Sequence, residues 1–207
     1  MTCRIVCISR SLGAGGEEIG RRATEALGYR YADEDIITRA AEHVGVSPET
    51  VAQAERTPGL IGRILEAMGR TAVEPAGWSG APPVTLESDP AFEPIIKRMI
   101  AETAAAGNVV IVAHGASFAL AGTQGLLRVL VTASPERRAE RLVRDGGMAE
   151  RAAADAVRKS DEQRRLYLQR FYSVSQEQPA NYDLTVNTDA LPLPLAADLV
   201  IKAAQGA

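Results

Sequence analysis

"ISRSLGAGGEEIG", residues 8–20, decides the fold. An apolar run ends here, glycines stand at 13, 15 and 16, and a helical pattern starts at once with Glu17 and Glu18. Strand, glycine turn and helix make the arrangement that cradles a phosphate. The helix N-terminus exposes unpaired N–H groups and the positive end of the macrodipole, so it attracts anions without any side chain. Gly13, Gly15 and Gly16 allow close approach of that anion, with Ser11 and Ala14 completing the loop.

The full pattern G-x-x-x-x-G-K-[ST] is not met. Arg10 stands at its first glycine, Gly15 at its second and Gly16 at its lysine, and Glu18 is read at the hydroxyl that would hold magnesium. A dinucleotide fingerprint fails too, for want of its last glycine. The loop has lost its cation, takes one from elsewhere, or is only a tight turn.

The two acids allow opposite readings. Unit charges 4 Å apart interact by about 4 kcal/mol at an effective dielectric of 20, so a carboxylate pointing into the loop would repel a nucleotide. Acids in a first helical turn more commonly complement the dipole while facing solvent. Glu18 as a magnesium ligand is the second choice, since hard cations accept carboxylate oxygen.

Outward from the loop, strands and helices alternate. Residues 4–9 suit a buried parallel strand, 17–27 a helix closed by Gly28, and 29–32 a short strand ending at Asp33. Helical patterns follow at 48–56 and 57–70. The stretch 71–90 is rich in Gly, Pro and Ser and carries the lone tryptophan, Trp78, read as packed on the core or, less favourably, as stacked on a ligand. A helix over 91–106 then precedes strands at 109–113 and up to Thr132. Ser134-Pro135 opens the next helix; 148–172 reads as a long arginine-rich helix with a break near Ser160; a strand at 183–187 and a helix from Pro192 complete the chain. The alternation predicts an α/β fold with a five-stranded parallel sheet covered by helices on both faces and ligands at the carboxyl ends of its strands.

Composition narrows the class. The chain of 207 residues fits one full-sized domain with an insert, and 46% hydrophobic with 24% charged residues is ordinary globular usage. No apolar run reaches membrane-span length and the start has no signal-peptide layout, so a cytoplasmic protein without membrane contact is expected. A net charge of −3 argues against a nucleic-acid-binding surface. Cys3 and Cys7 read as core thiols. Lysine occurs only at 97, 159 and 202, so the cations are nearly all arginines, from codon bias or as a guanidinium cluster for phosphate.

The ordered set ISR-x-x-G-A-G-G-x-E-I, L-G-Y-x-Y-x-D at 27–33, V-x-I-V-A-H-G-A at 109–116, V-T-A-S-P-E-R-R-A-E-R-L at 131–142, D-x-x-R-x-x-Y at 161–167 and Y-D-L-x-V-N-T at 182–188 resembles the cytidylate kinase-like family. This is a branch of the P-loop nucleoside monophosphate kinases. The resemblance implies a P-loop NTPase-like sheet in a single domain, a small helical acceptor-binding insert near 46–90 and an arginine-bearing lid near 137–172. It implies ATP and magnesium, with the loop from Gly13 to Glu18 facing the donor phosphates. Asp33 matches the acid near the acceptor nucleotide, His114 falls where the family usually has an arginine, and Arg141, Arg144 and Arg164 fall in the lid region. Arg10 or a lid arginine would replace the missing lysine.

Plainer readings accompany these. Asp33 also suits a helix N-cap and His114 a satisfied strand-end histidine. Arg137 and Arg138 read as a solvated helix face, while Arg141 and Arg144 share a face one turn apart. Arg165 and Arg170 read as ion-paired or solvated. The functions in play are transfer of the ATP γ-phosphoryl to a CMP-like nucleoside monophosphate, nucleotide binding without turnover, and phosphorylation of a non-nucleotide small molecule.

Overall fold

The structure, a computed structural model, describes residues 3–33, 36, 39, 92–112 and 115–207. The chain divides into two compact units, residues 1–33 with 100–207, and residues 34–99. The insert expected near 46–90 and Trp78 lie outside the described residues, as does His114.

The first unit is built on strand β1, Ile5–Arg10. Its residues Ile5 to Ile8 are all buried, which is why the run is apolar at every position rather than alternating, and the buried Ser9 that follows bonds Ser117. Around it stand β2 (Arg30–Ala32), β3 (Val109–Val112), β4 (Leu126–Thr132) and β5 (Leu184–Asn187). The order is β2-β3-β1-β4-β5, every pairing parallel. The expected five-stranded parallel sheet is therefore what the chain forms.

Parallel pairing requires crossovers, and the described helices supply them. They are α1 (Gly16–Leu27), α2 (Phe92–Ala105), the short α3 (Ala116–Ala119), α4 (Pro135–Gly146), α5 (Glu150–Tyr172) and α6 (Leu193–Gly206). Val6, Ile8, Val112 and Val129 of the sheet pack with Ile19 and Ala23 of α1 and Ala197 and Val200 of α6. Gly20 sets how closely α1 approaches, since a Cβ there would lie 2.8 Å from Val112 Cγ2. On the alternate positions Cys7 and Ile111 are fully buried too. Cys3 and Cys7 are free thiols within this core, as expected.

Of the second unit the structure describes Ile36, Arg39 and residues 92–99 of α2, with Ile36, Ile96 and Met99 buried.

Two expectations need correction. Helix α5 runs unbroken over 23 residues, Ser160 included, because its buried stripe of Ala153, Val157, Leu168 and Phe171 spans that position. Arg138 is not on a solvated face: it is only 4% exposed, whereas neighbouring Arg137 is exposed.

Candidate active site

The carboxyl end of β1 lies against that of β4, with Arg10 in register with Val131 and the Ser11 N–H donating to Val131 O at 3.2 Å. From there the loop folds back through Gly13 (φ 78°) and Gly15 (φ 87°), both in the left-handed region. Only glycine adopts these values without strain, and space forbids a side chain as well. A Cβ at 13 would stand 2.8 Å from Arg138 O, and one at 15 would stand 2.5 Å from Leu193 Cδ2. The Ala14 N–H closes the turn onto Ser11 O at 3.0 Å. Helix α1 then starts at Gly16 with no side chain capping it. Its first amides lack intrahelical partners, and among the described residues no backbone acceptor serves those of residues 16–18, which leaves them to an anion or water.

The missing lysine has a visible counterpart. A Cβ on residue 16 would fall 2.4 Å from Arg10 Cβ and 2.8 Å from its Cγ. Arginine at the pattern's first glycine therefore occupies the space that a side chain at the lysine position would need. The two departures from the standard loop are one exchange of volume. Arg10 Nε lies 2.6 Å from Glu17 Oε1, yet this buried N–H makes no hydrogen bond. Counting from Arg10 as the first position puts Glu17, not Glu18, at the pattern's hydroxyl. Glu18 instead pairs with Arg22, Nε to Oε1 at 3.0 Å, one turn along the exposed side of α1. The carboxylate beside the loop is that of Glu17, which sequence reasoning left as a dipole complement.

Behind the loop, α4 contributes two arginines. Arg138 grips Asp161 of α5 bidentately at 2.7 and 2.6 Å, donates through Nε to Ala133 O, and reaches Leu12 O at 3.5 Å. Arg141 donates to Gly13 O at 3.1 Å, Thr188 Oγ1 at 2.8 Å and Thr188 O at 2.7 Å. Thr188 Oγ1 in turn donates to Ala14 O at 2.9 Å. Arg144 stands apart, its side chain 71% exposed and paired with Asp145, whose carboxyl that contact holds below the usual carboxylate range. The faces of α4 thus sort differently from the expected pairing of Arg141 with Arg144: Arg138 and Arg141 point in, Arg137 and Arg144 out.

A cavity of about 280 Å³ opens beside the loop, between Ser11, the end of β4 and α5. Arg164 lines it and is bound bidentately by Glu177 at 2.9 and 2.7 Å, and the Tyr182 hydroxyl donates to the same carboxylate. Burial opposes the guanidinium charge, but the Glu177 bonds outweigh it and raise its pKa. Arg165 pairs with Glu162 at the helix surface, as expected. On the other side of the sheet, Asp33 follows β2 and accepts a hydrogen bond from Tyr31 at 3.3 Å. Burial, with Asp33 next, pushes the Tyr31 phenol up, so it stays a donor at neutral pH. The guanidinium of Arg21 lies over the ring of Tyr31, 4.9 Å from its centroid.

Sequence reasoning missed Thr188, Asp161 and Glu177 as partners of these arginines. Asp161 and Thr188 stand inside the motifs quoted above, so their position was marked although their contacts were not. Among the described residues no three His, Cys, Asp or Glu side chains are grouped to hold a metal ion. The loop suits a polyphosphate through the amides at the start of α1, which no side chain caps. A magnesium ion carried by such a phosphate needs only one or two protein carboxylates, and Glu17 is the one at hand.

Comparison with known proteins agrees with this picture. A model of the cytidylate kinase-like family matches residues 5–190. A cytidylate kinase from Ignicoccus hospitalis is 27% identical over 199 residues, covering 96% of each chain. Among solved structures, an uncharacterised protein from Eubacterium ventriosum superposes with a TM-score of 0.67 at 14% identity, over 99% of each chain. A shikimate kinase from Bacteroides thetaiotaomicron does so with 0.54 at 14% identity, covering 98% of this chain and 97% of its own. These structural likenesses show a shared kinase fold.

Proposed function

The chain belongs to the cytidylate kinase-like family, and on that premise we propose that it is a phosphotransferase, moving the γ-phosphoryl of ATP onto a CMP-like nucleoside monophosphate or a related small acceptor. The observation that carries this reading is Arg10 lying across Gly16. A loop that had merely lost its lysine would leave that space to solvent; here the stem of an arginine fills it and brings a cation with it.

In the reaction the bond between the γ-phosphorus and its bridging oxygen breaks, ADP leaves with the electron pair, and a new bond forms to an acceptor oxygen. Such transfer depends on position and on charge stabilisation rather than on protein nucleophiles. Backbone amides of the loop from Gly13 to Glu18, that of Ala14 excepted, hold the donor phosphates, aided by Ser11. Arg10 stands in for the lysine that follows the transferring group. Glu17 is the carboxylate among the described residues that would hold a magnesium ion, which would supply charge neutralisation of the phosphates. Arg164 in the cavity beside Ser11 and Asp33 beyond β2 orient the acceptor. An acceptor phosphate reacts as the anion and needs no base, whereas an acceptor hydroxyl would pass its proton to Asp33.

Turnover of ATP and magnesium with a panel of nucleoside monophosphates and hydroxylated small molecules tests the reading. Product is expected with a pyrimidine monophosphate, and Arg10→Ala is expected to lower kcat by about a hundredfold, with part of it restored in Arg10→Lys. Nucleotide binding without product from any acceptor sinks it.

One observation favours a second reading. Glu17 sits 2.6 Å from Arg10, and a cation neutralised in this way gives the phosphoryl group little. A protein of this kind binds nucleotide and signals its presence without turning it over. Product from the parent with any acceptor of the panel excludes this second reading, and nucleotide affinity without product supports it.

A further inference from the structure

Three successive carbonyls of the glycine loop each meet a donor from behind. Leu12 O meets Arg138, Gly13 O meets Arg141 and Ala14 O meets Thr188. The first of these contacts is long at 3.5 Å, the other two ordinary at 3.1 and 2.9 Å. In a trans peptide the C=O of one residue and the N–H of the next point in opposite directions. Fixing the carbonyls of 13 and 14 outward therefore turns the amides of 14 and 15 inward. The Ala14 amide is taken up by Ser11 O across the turn, so the amide this arrangement presents to an anion is that of Gly15.

Arg141 has a second property. Arg138 is neutralised by Asp161 and Arg164 by Glu177, but the hydrogen-bond acceptors of Arg141 among the described residues are all neutral oxygens, Gly13 O, Thr188 Oγ1 and Thr188 O. Its full charge stands one peptide behind the amides that would face a phosphate.

We propose that Arg141, locked by Thr188, is a positioning residue that holds the glycine loop in its anion-binding form and places positive charge behind the Gly15 amide. It acts on the polyphosphate part of the donor and not on its base or sugar. This replaces a lid-borne role for Arg141, because its guanidinium is engaged at the back of the loop. The inference rests on the reading that this loop binds the donor phosphates.

The experiment compares binding of ATP, inorganic tripolyphosphate and adenosine by calorimetry, on the full chain, for the parent, Arg141→Gln, Arg141→Lys, Thr188→Val and Thr188→Ser. Arg141→Gln should weaken ATP and tripolyphosphate at least tenfold while leaving adenosine within twofold. Arg141→Lys, which keeps the charge but not the fork, should lie between, and Thr188→Ser should bind tripolyphosphate as the parent does where Thr188→Val does not. If ATP and tripolyphosphate bind the glutamine variant as they bind the parent, the inference is overturned while the phosphotransferase reading stands. An equal loss of adenosine and tripolyphosphate, with a lowered melting temperature, overturns it too, in favour of a merely structural role. A parent that binds no tripolyphosphate overturns both readings together. Should Arg141→Gln fail to fold, the two threonine variants give the same decision.

Discussion

Behind the glycine loop Arg138, Arg141 and Thr188 meet the carbonyls of residues 12–14, and Arg138 is itself locked by Asp161. In front of it Arg10 packs over Gly16 and touches Glu17 without its Nε making a hydrogen bond. The back is a network in which nearly every donor has an acceptor, and such networks are rigid because breaking any member strands the others. The front is a contact between a flexible side chain and a partly exposed acid, and contacts of that kind rearrange when a stronger ligand arrives. A loop held still from behind and adjustable in front is prepared to receive a charged group at little cost in order.

The largest effect should come from breaking the back. Arg138→Ala removes a guanidinium that is 4% exposed and leaves a void against Leu12 and Ala133, although Asp161, at 41% exposure, can turn to water. Loss of a buried pair member costs about 3–5 kcal/mol, and the exposed partner brings the expectation to about 2–3 kcal/mol. Urea unfolding reads it. A loss below 1 kcal/mol would show that the back of the loop is not held by this pair.

Next is the front, where Gly16→Lys rebuilds the standard pattern against Arg10. The new Cβ meets Arg10 Cβ at 2.4 Å, and overpacking of this kind costs roughly 1–3 kcal/mol. Adding Arg10→Gly removes the obstruction, so the double variant should recover both the stability and the turnover that the single one loses. Equal behaviour of single and double variants would disprove the exchange of volume between positions 10 and 16.

At the opposite end of the sheet Arg128 and Asp183 offer a control. The Arg128 hydrogen bonds hold the Asp183 carboxyl below its ordinary value of about 3.9. A lowered folded-state pKa gives stability that is fully present above pH 4 and lost as pH falls through the folded value. Both side chains are partly exposed, so solvent screening keeps the contribution below about 1 kcal/mol. Asp183→Asn should flatten the acid limb of stability against pH and leave ATP affinity unchanged. A change in affinity would mean that the loop senses the far end of the sheet.

The sheet was legible in the sequence because buried parallel strands are written as unbroken apolar runs, as in Ile5–Ile8 and Val109–Val112. The loop was legible because its glycines are required both by φ and by the closeness of Arg138 and Leu193. Partnerships were not. Whether an arginine is solvent-facing, as Arg137 is, or buried, as its neighbour Arg138 is, depends on a carboxylate 23 residues further on. Arg141 likewise meets Thr188, 47 residues away. Residue spacing marks which arginines share a helix face but not which face turns inward, since α4 has few apolar residues to declare its inner side. Glu18 was read second as a metal ligand, from a count that put it at the pattern's hydroxyl, and the i,i+4 spacing to Arg22 was the local signal pointing outward instead.

The smallest effect, and the one that sharpens the comparison most, belongs to Arg144. It shares α4 with Arg141 and lies only one turn away, yet it is mostly exposed and pairs with its own neighbour Asp145. Exposed pairs of this kind contribute little, since water and salt screen them and two long side chains must be ordered to form them. Arg144→Ala should therefore match the parent in melting temperature, tripolyphosphate affinity and kcat, while Arg141→Gln fails in affinity. That contrast within a single turn attributes the loop's order to the inward face of α4 and not to helix charge in general. If instead Arg144→Ala lowers kcat with ATP affinity unchanged, the outer face of α4 reaches the transferring group during turnover, and the division between a rigid back and an adjustable front has to include a third, arriving cation.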